Sequence, residues 1–249
     1  MKISLITVVL NNAETLKTTL DSVLGQTYGE IEYIVVDGVS SDGSLDIISQ
    51  YRHHITTFIS EPDKGLYDAL NKGIGLASGD VVGFIHADDF YASEHVIASV
   101  AEAFEKTGAD AVYGDLVYVH KDNTDKVIRY WKSSPFHPAK LKRGWMPPHP
   151  TFFVKRERYQ KHGLFDTSFR IAADYDLMLR LLGQHRISAV YVPEVFVRMR
   201  LGGVSNRSLK NVLRKMKEDL RAMRKNEVGG FFTLFLKNTS KLGQFFLRR

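Results

Sequence analysis

An apolar run from residue 79 to 91, GDVVGFIHADDFY, ends in His86, Ala87, Asp88 and Asp89, so an imidazole and two adjacent carboxylates stand where a buried strand would finish. Neighbouring carboxylates raise one another's pKa unless positive charge offsets them. A hard divalent cation, Mg2+ or Mn2+, is the economical partner, because it prefers oxygen ligands and takes one or two carboxylates together with substrate phosphates. The plainer reading leaves these residues solvated, capping the helix that begins near Ser93. Asp37 opens DGVSSDGS between a strand pattern and a helix pattern. There it serves either ordinary turn chemistry or a nucleoside pocket, accepting from a base N–H or ribose hydroxyls. In IAADYDLMLR, Asp174 and Asp176 are spaced i, i+2 and fall on different faces of a helix, so one of them is structural. RMRLGGVSNR supplies Arg198, Arg200, two glycines and Ser205, a loop whose guanidinium groups and amides suit phosphate oxygens.

These residues need a frame, and the hydrophobic periodicity supplies one. KISLITVVL reads as a strand; Asn12 then suits an N-cap, with Leu16, Leu20, Val23 and Leu24 on one helical face and Gly25 as the stop. IEYIVVD, ITTFIS and DVVGFIH read as strands, separated by helices over SLDIISQY and GLYDALNKGIGLA. Ser93 is the expected N-cap of a helix carrying Val96, Ile97, Val100 and Phe104, and ADAVYGDLVYV follows as a strand. Strands alternating with helices imply a mostly parallel sheet, whose ligands sit beyond the carboxyl ends of the strands. Asn11 and Asn12, Asp37, and Asp88 with Asp89 all fall at that edge. From Lys121 to Pro150 the pattern loosens and holds five of the seven prolines. A short basic helix, an amphipathic helix over DYDLMLRLL, a strand over ISAVYVPEVFVRMR and a basic helix from about Ser208 complete the pass. Gly73, Gly75 and Gly79 do not make a dinucleotide fingerprint: the third glycine is one position late and the segment precedes a strand.

The 249 residues contain no cysteine, so disulfides and thiolate metal sites are excluded. MKISLITVVLNN reads as the first strand and not as a signal peptide, and no apolar run approaches the roughly 20 residues that span a bilayer. The net charge of +6 is uneven: from Arg207 to Arg249, 12 Lys and Arg face 3 acids, a net of +9, which leaves −3 on residues 1–206. The basic character belongs to the tail alone, with no recognisable nucleic-acid-binding module, and does not indicate nucleic-acid binding.

The ordered set SLITVVLNN, VVDGVSSDGS, DKGLYDALNKGIGLASGDVVGFIHADD, PPHPTFF and AADYDLMLR resembles the family 2 glycosyltransferases, closest to the bacterial branch that builds cell-surface polysaccharide. The resemblance covers about residues 1–205. It implies an α/β fold of GT-A type, with a Rossmann-like, mostly parallel central sheet flanked by helices, followed here by a basic helical C-terminal tail. The expected division is a catalytic domain over 1–205, with a nucleotide-binding half to 115 and an acceptor-side half from 116, and a tail over 206–249. The implied activity is inverting transfer of a sugar from a nucleotide diphosphate sugar, with UDP as the family default, to a glycan or lipid-linked acceptor. Asp37 falls on the base-contacting aspartate, Asp88 on the metal-binding aspartate of D-x-D, and Asp174 on the general base. Asn11, Asp68 and His86 join the nucleotide-binding set. Trp145 and His149 in WMPPHPTFF fall on the acceptor side, where an aromatic beside two prolines is equally a packing residue, and Arg200 is a further candidate of the site.

Two departures stand out. His86 replaces the first Asp of D-x-D, and the family's later metal-binding histidine has no match in RMRLGGVSN. A divalent metal, Mn2+ or Mg2+, would then rest mainly on Asp88 and the diphosphate. A nucleotidyltransferase is disfavoured by NNAETLKTT where a Gly-rich, Arg- and Lys-bearing loop belongs, and a non-catalytic binding module by the presence of Asp88 and Asp174. In the tail, Leu209, Val212, Leu213, Met216, Leu220 and Met223 recur at helical spacing among cations, and five phenylalanines follow. Two readings stay open. The tail packs on the catalytic domain or a second subunit, or it lies on an anionic membrane surface at the cytoplasmic face.

Overall fold

The computed structural model describes residues 1–202 and 209–239. In chain order its elements are β1 (Ile3–Val9), α1 (Ala13–Leu24), β2 (Ile31–Asp37), α2 (Ser44–Gln50), β3 (Thr57–Ser60), α3 (Leu66–Leu76), β4 (Val81–Phe84), β5 (Phe90–Tyr91) and α4 (Val96–Thr107). Then come β6 (Ala111–Val119), β7 (Val127–Trp131), α5 (Pro138–Leu141), β8 (Phe153–Lys155), α6 (Arg156–His162), α7 (Ala173–Met178), β9 (Ala189–Arg200), α8 (Leu209–Lys225) and α9 (Phe231–Thr239). A π-helical stretch over Leu179–Gln184 continues α7.

Every residue of β1 is buried because both faces of the sheet are covered, which is why the strand reads as one apolar run. Its side chains alternate: Ile3, Leu5 and Val9 join a cluster with Leu16 and Leu20 of α1 and Val96, Ile97 and Val100 of α4, while Ile6 and Val8 join Leu70 and Ile74 of α3 and the residues of α7. The sheet runs β3-β2-β1-β4-β8-β6-β9-β5, with β7 beside β6. Its first four strands are parallel, as the βαβ spacing predicts. The second half is mixed. β8 is antiparallel to both β4 and β6, β7 and β5 add antiparallel edges, and β6 pairs β9 in parallel. The expectation of a mostly parallel sheet is thus refined: no long crossover helix separates β6 from β7, so the chain turns back as a hairpin.

Two expected caps differ. Asn12 occupies the cap position of α1 without a side-chain cap bond; instead Asp42 and the first residue of α2, Ser44, accept from the Ala13 and Asn12 amides at 2.9 and 3.0 Å. Ser93 does not start α4: the cap is His95, and the Ser93 hydroxyl accepts from the His95 amide at 3.3 Å in a local turn. The expected boundary at 205/206 is crossed by a shared core, since Ala222, Met223, Val228 and Leu234 belong to the cluster that contains α7. The boundary near 115 likewise falls inside β6.

Candidate active site

β1, β2 and β4 end at one edge, and the chemistry-bearing residues follow each end. After β1, Asn11 adopts a positive φ of 55° and its side-chain oxygen accepts from the Ser41 amide at 2.8 Å. After β2, Asp37 is fully buried, with its carboxylate accepting from the Ser60 hydroxyl at 2.6 Å and from the Val39 and Ser40 amides at 3.0 and 3.1 Å. Asp37 therefore organises the loop that follows it. Asp68 lies in the first turn of α3, where it accepts from the Lys64 amide at 3.0 Å and lies 3.8 Å from Lys72.

At the end of β4 the adjacent carboxylates part company. Asp89 is buried: one oxygen accepts from the Arg200 amide at 3.1 Å, and the other has no hydrogen-bond partner among the described residues. Burial, reinforced by the charge of Asp88, pushes the Asp89 pKa well above the usual carboxylate range, so the group tends to hold its proton. The turn backbone is anchored from α1 by Thr15 and Thr19, which donate to the Ala87 and Asp89 carbonyls at 2.9 and 2.7 Å. Arg200 completes the anchor by donating to the Asp88 carbonyl at 2.7 Å, with its guanidinium 5.0 Å from the Phe90 ring centre. Asp88 itself is half-buried, and its carboxylate accepts no hydrogen bond among the described residues. Of the loop expected to hold phosphate, Arg198 donates to the Thr124 carbonyl at 2.6 Å, while Gly203 and Ser205 lie outside the described residues.

The start of α7 meets this edge from the other side. Tyr67 of α3 donates to the Ile171 carbonyl at 2.7 Å and reaches 3.4 Å from an Asp174 oxygen. Burial, with the charge of Asp174 next, keeps the Tyr67 hydroxyl protonated and hence a donor. His86 is held toward its neutral form by burial, against which Asp88 and then Asp174 act. Both carboxylates are thus within electrostatic reach of one imidazole. The His149 ring centre lies 6.0 Å from that of His86 and 5.8 Å from that of Phe84. Its Nε2 is buried with no partner among the described residues, and burial lowers its pKa to about 4. Asp176 turns away from the site: it is buried and takes Asn226 at 3.0 Å and Lys225 at 3.1 Å. Trp145 is stacked on Phe136 and edge-on to Tyr113, each with ring centres 5.9 Å apart, so its ring is part of an aromatic group.

His86, Asp88, His149 and Asp174 are therefore brought together, with Tyr67 as a member that the sequence reading missed. Its helical spacing with Leu70 and Ile74 marks a buried face, but the target of its hydroxyl lies 104 residues away. Among the described residues no three His, Asp or Glu side chains are grouped to hold a metal. The donor set suits a hard divalent ion only in part, through the oxygen donors of Asp88, leaving most of the coordination shell to a ligand's phosphates.

Residues 4–173 match the family model described as glycosyl transferase family 2. A PGL/p-HBAD biosynthesis glycosyltransferase of Mycobacterium bovis is 30% identical over 208 residues, which cover 82% of this chain and 78% of that protein. Among solved structures, S. aureus TarS 1-349 in complex with UDP-GlcNAc superposes with a TM-score of 0.67 at 16% identity. The match covers 92% of this chain but only 66% of that one, just under two thirds. The Pyrobaculum calidifontis mannosyltransferase PcManGT, in complex with GDP-Man and Mn2+, gives 0.68 at 18% identity over 98% of this chain and 72% of that one. These likenesses show a GT-A type fold.

Proposed function

The chain belongs to glycosyl transferase family 2, and from that premise we propose that it transfers a sugar, with inversion, from a nucleotide diphosphate sugar to a hydroxyl of a glycan or lipid-linked acceptor in cell-surface polysaccharide synthesis. The observation that carries this reading is the meeting of β4's end with α7's start: the His86 and His149 ring centres lie 6.0 Å apart, His149 meets Phe165 at 5.7 Å, Phe165 stacks on Tyr67 at 5.5 Å, and the Tyr67 hydroxyl reaches to 3.4 Å from Asp174. UDP is the favoured nucleotide, a choice supported by the UDP-GlcNAc in the TarS structure, though GDP-Man accompanies the other neighbour.

In this reading Asn11, Asp37, Asp68 and His86 line the nucleoside side, with Asp37 acting through the loop it organises. A divalent ion, Mn2+ or Mg2+, bound at Asp88 and the donor diphosphate would supply positive charge to the leaving group. Asp174 takes the proton of the acceptor hydroxyl as its oxygen attacks the anomeric carbon; the bond to the diphosphate breaks on the opposite face, and the nucleotide diphosphate departs. Tyr67 holds the backbone that leads to Asp174 through the Ile171 carbonyl. Arg200 fixes the turn that presents Asp88, while His149 and the Trp145 edge bound the acceptor side. Outward-facing Phe231, Phe232 and Phe235, exposed by 69%, 73% and 62%, together with the tail's cations, would rest on the cytoplasmic face of the membrane, where a lipid-linked acceptor presents its hydroxyl. A homodimer contact through the same face is the competing use.

The test is calorimetry and transfer assays with a panel of nucleotide sugars and Mn2+. Asp88→Asn is expected to abolish Mn2+-dependent binding of nucleotide diphosphate. Asp174→Asn is expected to keep donor affinity and lose about 10²–10⁴-fold in transfer. Unchanged binding in the first or unchanged transfer in the second overturns the assignment, and that pattern in Asp176→Asn would reverse the roles of the two aspartates.

A further inference from the structure

The segment just before α7 carries an unusual burden. Its three successive amides, Arg170, Ile171 and Ala172, all point at one carboxylate, that of Glu218 in α8, at 3.1, 2.8 and 3.0 Å to the same oxygen. The second Glu218 oxygen lies 3.2 Å from the Arg170 amide. Successive amides form a concave anion site, and a helix start leaves its first N–H groups without intrahelical partners. Here a side chain from 46–48 residues downstream fills that site. The carbonyl of the middle residue is held too, by Tyr67 at 2.7 Å. The segment 170–172 is therefore clamped through its donors by Glu218 and through an acceptor by Tyr67, with Asp174 two residues further on.

We propose that Glu218 is a positioning residue for Asp174, setting the direction of the α7 start from which the carboxylate meets the acceptor hydroxyl; this rests on the reading of Asp174 as the base. α8 is a rigid mount for the task. Ala222 and Met223 are buried against α7, Lys225 and Asn226 bond Asp176 one helical face away, and Asp219 pairs with Lys237 of α9. The charge of Glu218 also reaches Tyr67, where it adds to burial and Asp174 in keeping the hydroxyl protonated and able to donate. Displacement of a catalytic group by about 1 Å costs about 10²-fold in rate, and release of three amides to water frees the segment for such a shift.

The experiment compares Glu218→Ala, Glu218→Gln, Asp174→Asn and the double variant Asp174→Asn/Glu218→Ala in the full chain with donor and Mn2+. Glu218→Ala is expected to lose about 10²-fold in kcat with unchanged calorimetric affinity for the nucleotide sugar. Glu218→Gln keeps an acceptor oxygen and recovers most of that loss. The double variant should be no slower than Asp174→Asn alone, because a residue acting only through the base has nothing left to act on. Wild-type kcat in Glu218→Ala, a loss expressed in donor affinity, or a double variant that falls by the product of the single effects overturns the inference. Should Glu218→Ala not fold, the same cycle is run with Glu218→Gln, whose smaller defect must vanish in the Asp174→Asn background. If Asp174→Asn retains full transfer, the base assignment fails by itself; if it is impaired while Glu218→Ala is not, only the positioning role fails.

Discussion

Lys237 is the residue through which the C-terminal helices are most directly tested as part of the catalytic body. It is 2% exposed, its Nζ lies 2.8 Å from Asp219, itself 2% exposed, and the same nitrogen sits 3.1 Å from the Tyr175 ring centre in α7. Gly144, with φ of 76°, passes beneath it: a Cβ built there would lie 2.5 Å from the Lys237 Cβ. Burial pulls the Lys237 pKa down, and Asp219 opposes that pull by favouring the charged form. Lys237→Met keeps most of the volume but strands Asp219, and removing one partner of a buried pair costs about 3–5 kcal/mol. For a chain of 249 residues, about 2–4 °C per kcal/mol converts this to a Tm fall of roughly 6–20 °C. Lys237→Met/Asp219→Leu, which removes both charges, should return to within about 1 kcal/mol of the parent, since an apolar replacement of a buried pair is often neutral. Thermal and urea melts of the four proteins in the cycle read the coupling. A single-variant Tm within about 2 °C of the parent would refute the packing of α9 onto α7 and leave the tail free to act as an independent segment.

Two further outcomes follow from burial and exposure elsewhere. His149 has a folded pKa of about 4 against an ordinary value near 6.5, so its contribution to stability is complete above about pH 6.5 and is lost as pH falls toward 4. The loss amounts to about 3 kcal/mol across that window, and His149→Gln should flatten that part of the profile in urea melts; an unchanged slope would show the imidazole protonated in the fold. The triple variant Phe231→Ser/Phe232→Ser/Phe235→Ser should fold normally yet sediment less with anionic liposomes at low salt, weaker by about tenfold per ring that enters the interface. If the parent does not sediment, or the variant sediments equally, the membrane contact is wrong; a parent dimer that the variant dissolves assigns the face to a second copy. Deleting 226–249 is a poorer test, because buried Asn226, Val228, Leu234 and Lys237 would go with it.

Much of the frame was legible in the sequence because it rests on local signals. Runs such as ISLITVV and IEYIVVD have only strands open to them when both faces are apolar, and the alternating helices between them dictate the parallel half of the sheet. The i, i+2 spacing of Asp174 and Asp176 likewise tells, from helix geometry alone, that the two lie on different faces, and in the fold Asp176 pairs with Lys225 and Asn226 while Asp174 lies 3.4 Å from the Tyr67 hydroxyl. What tertiary structure decided is what the residues meet. The local pattern of HADD does not tell which of its carboxylates is buried; Arg200, 111 residues later, covers Asp89 and leaves Asp88 half-buried. The antiparallel insertion of the three-residue β8 and the two-residue β5 carries too little local pattern to be read, since such short strands are stabilised by their partners and not by propensity. The tail's helical spacing leaves open whether it packs on protein or lies on a membrane, yet in the fold Lys237 is among the most buried side chains of the described residues and Glu218 accepts from the amides that lead to Asp174. Charge periodicity reports which residues share a helix face; whether that face meets water or a buried carboxylate is fixed by contacts tens of residues away, where desolvation and pairing outweigh any local preference.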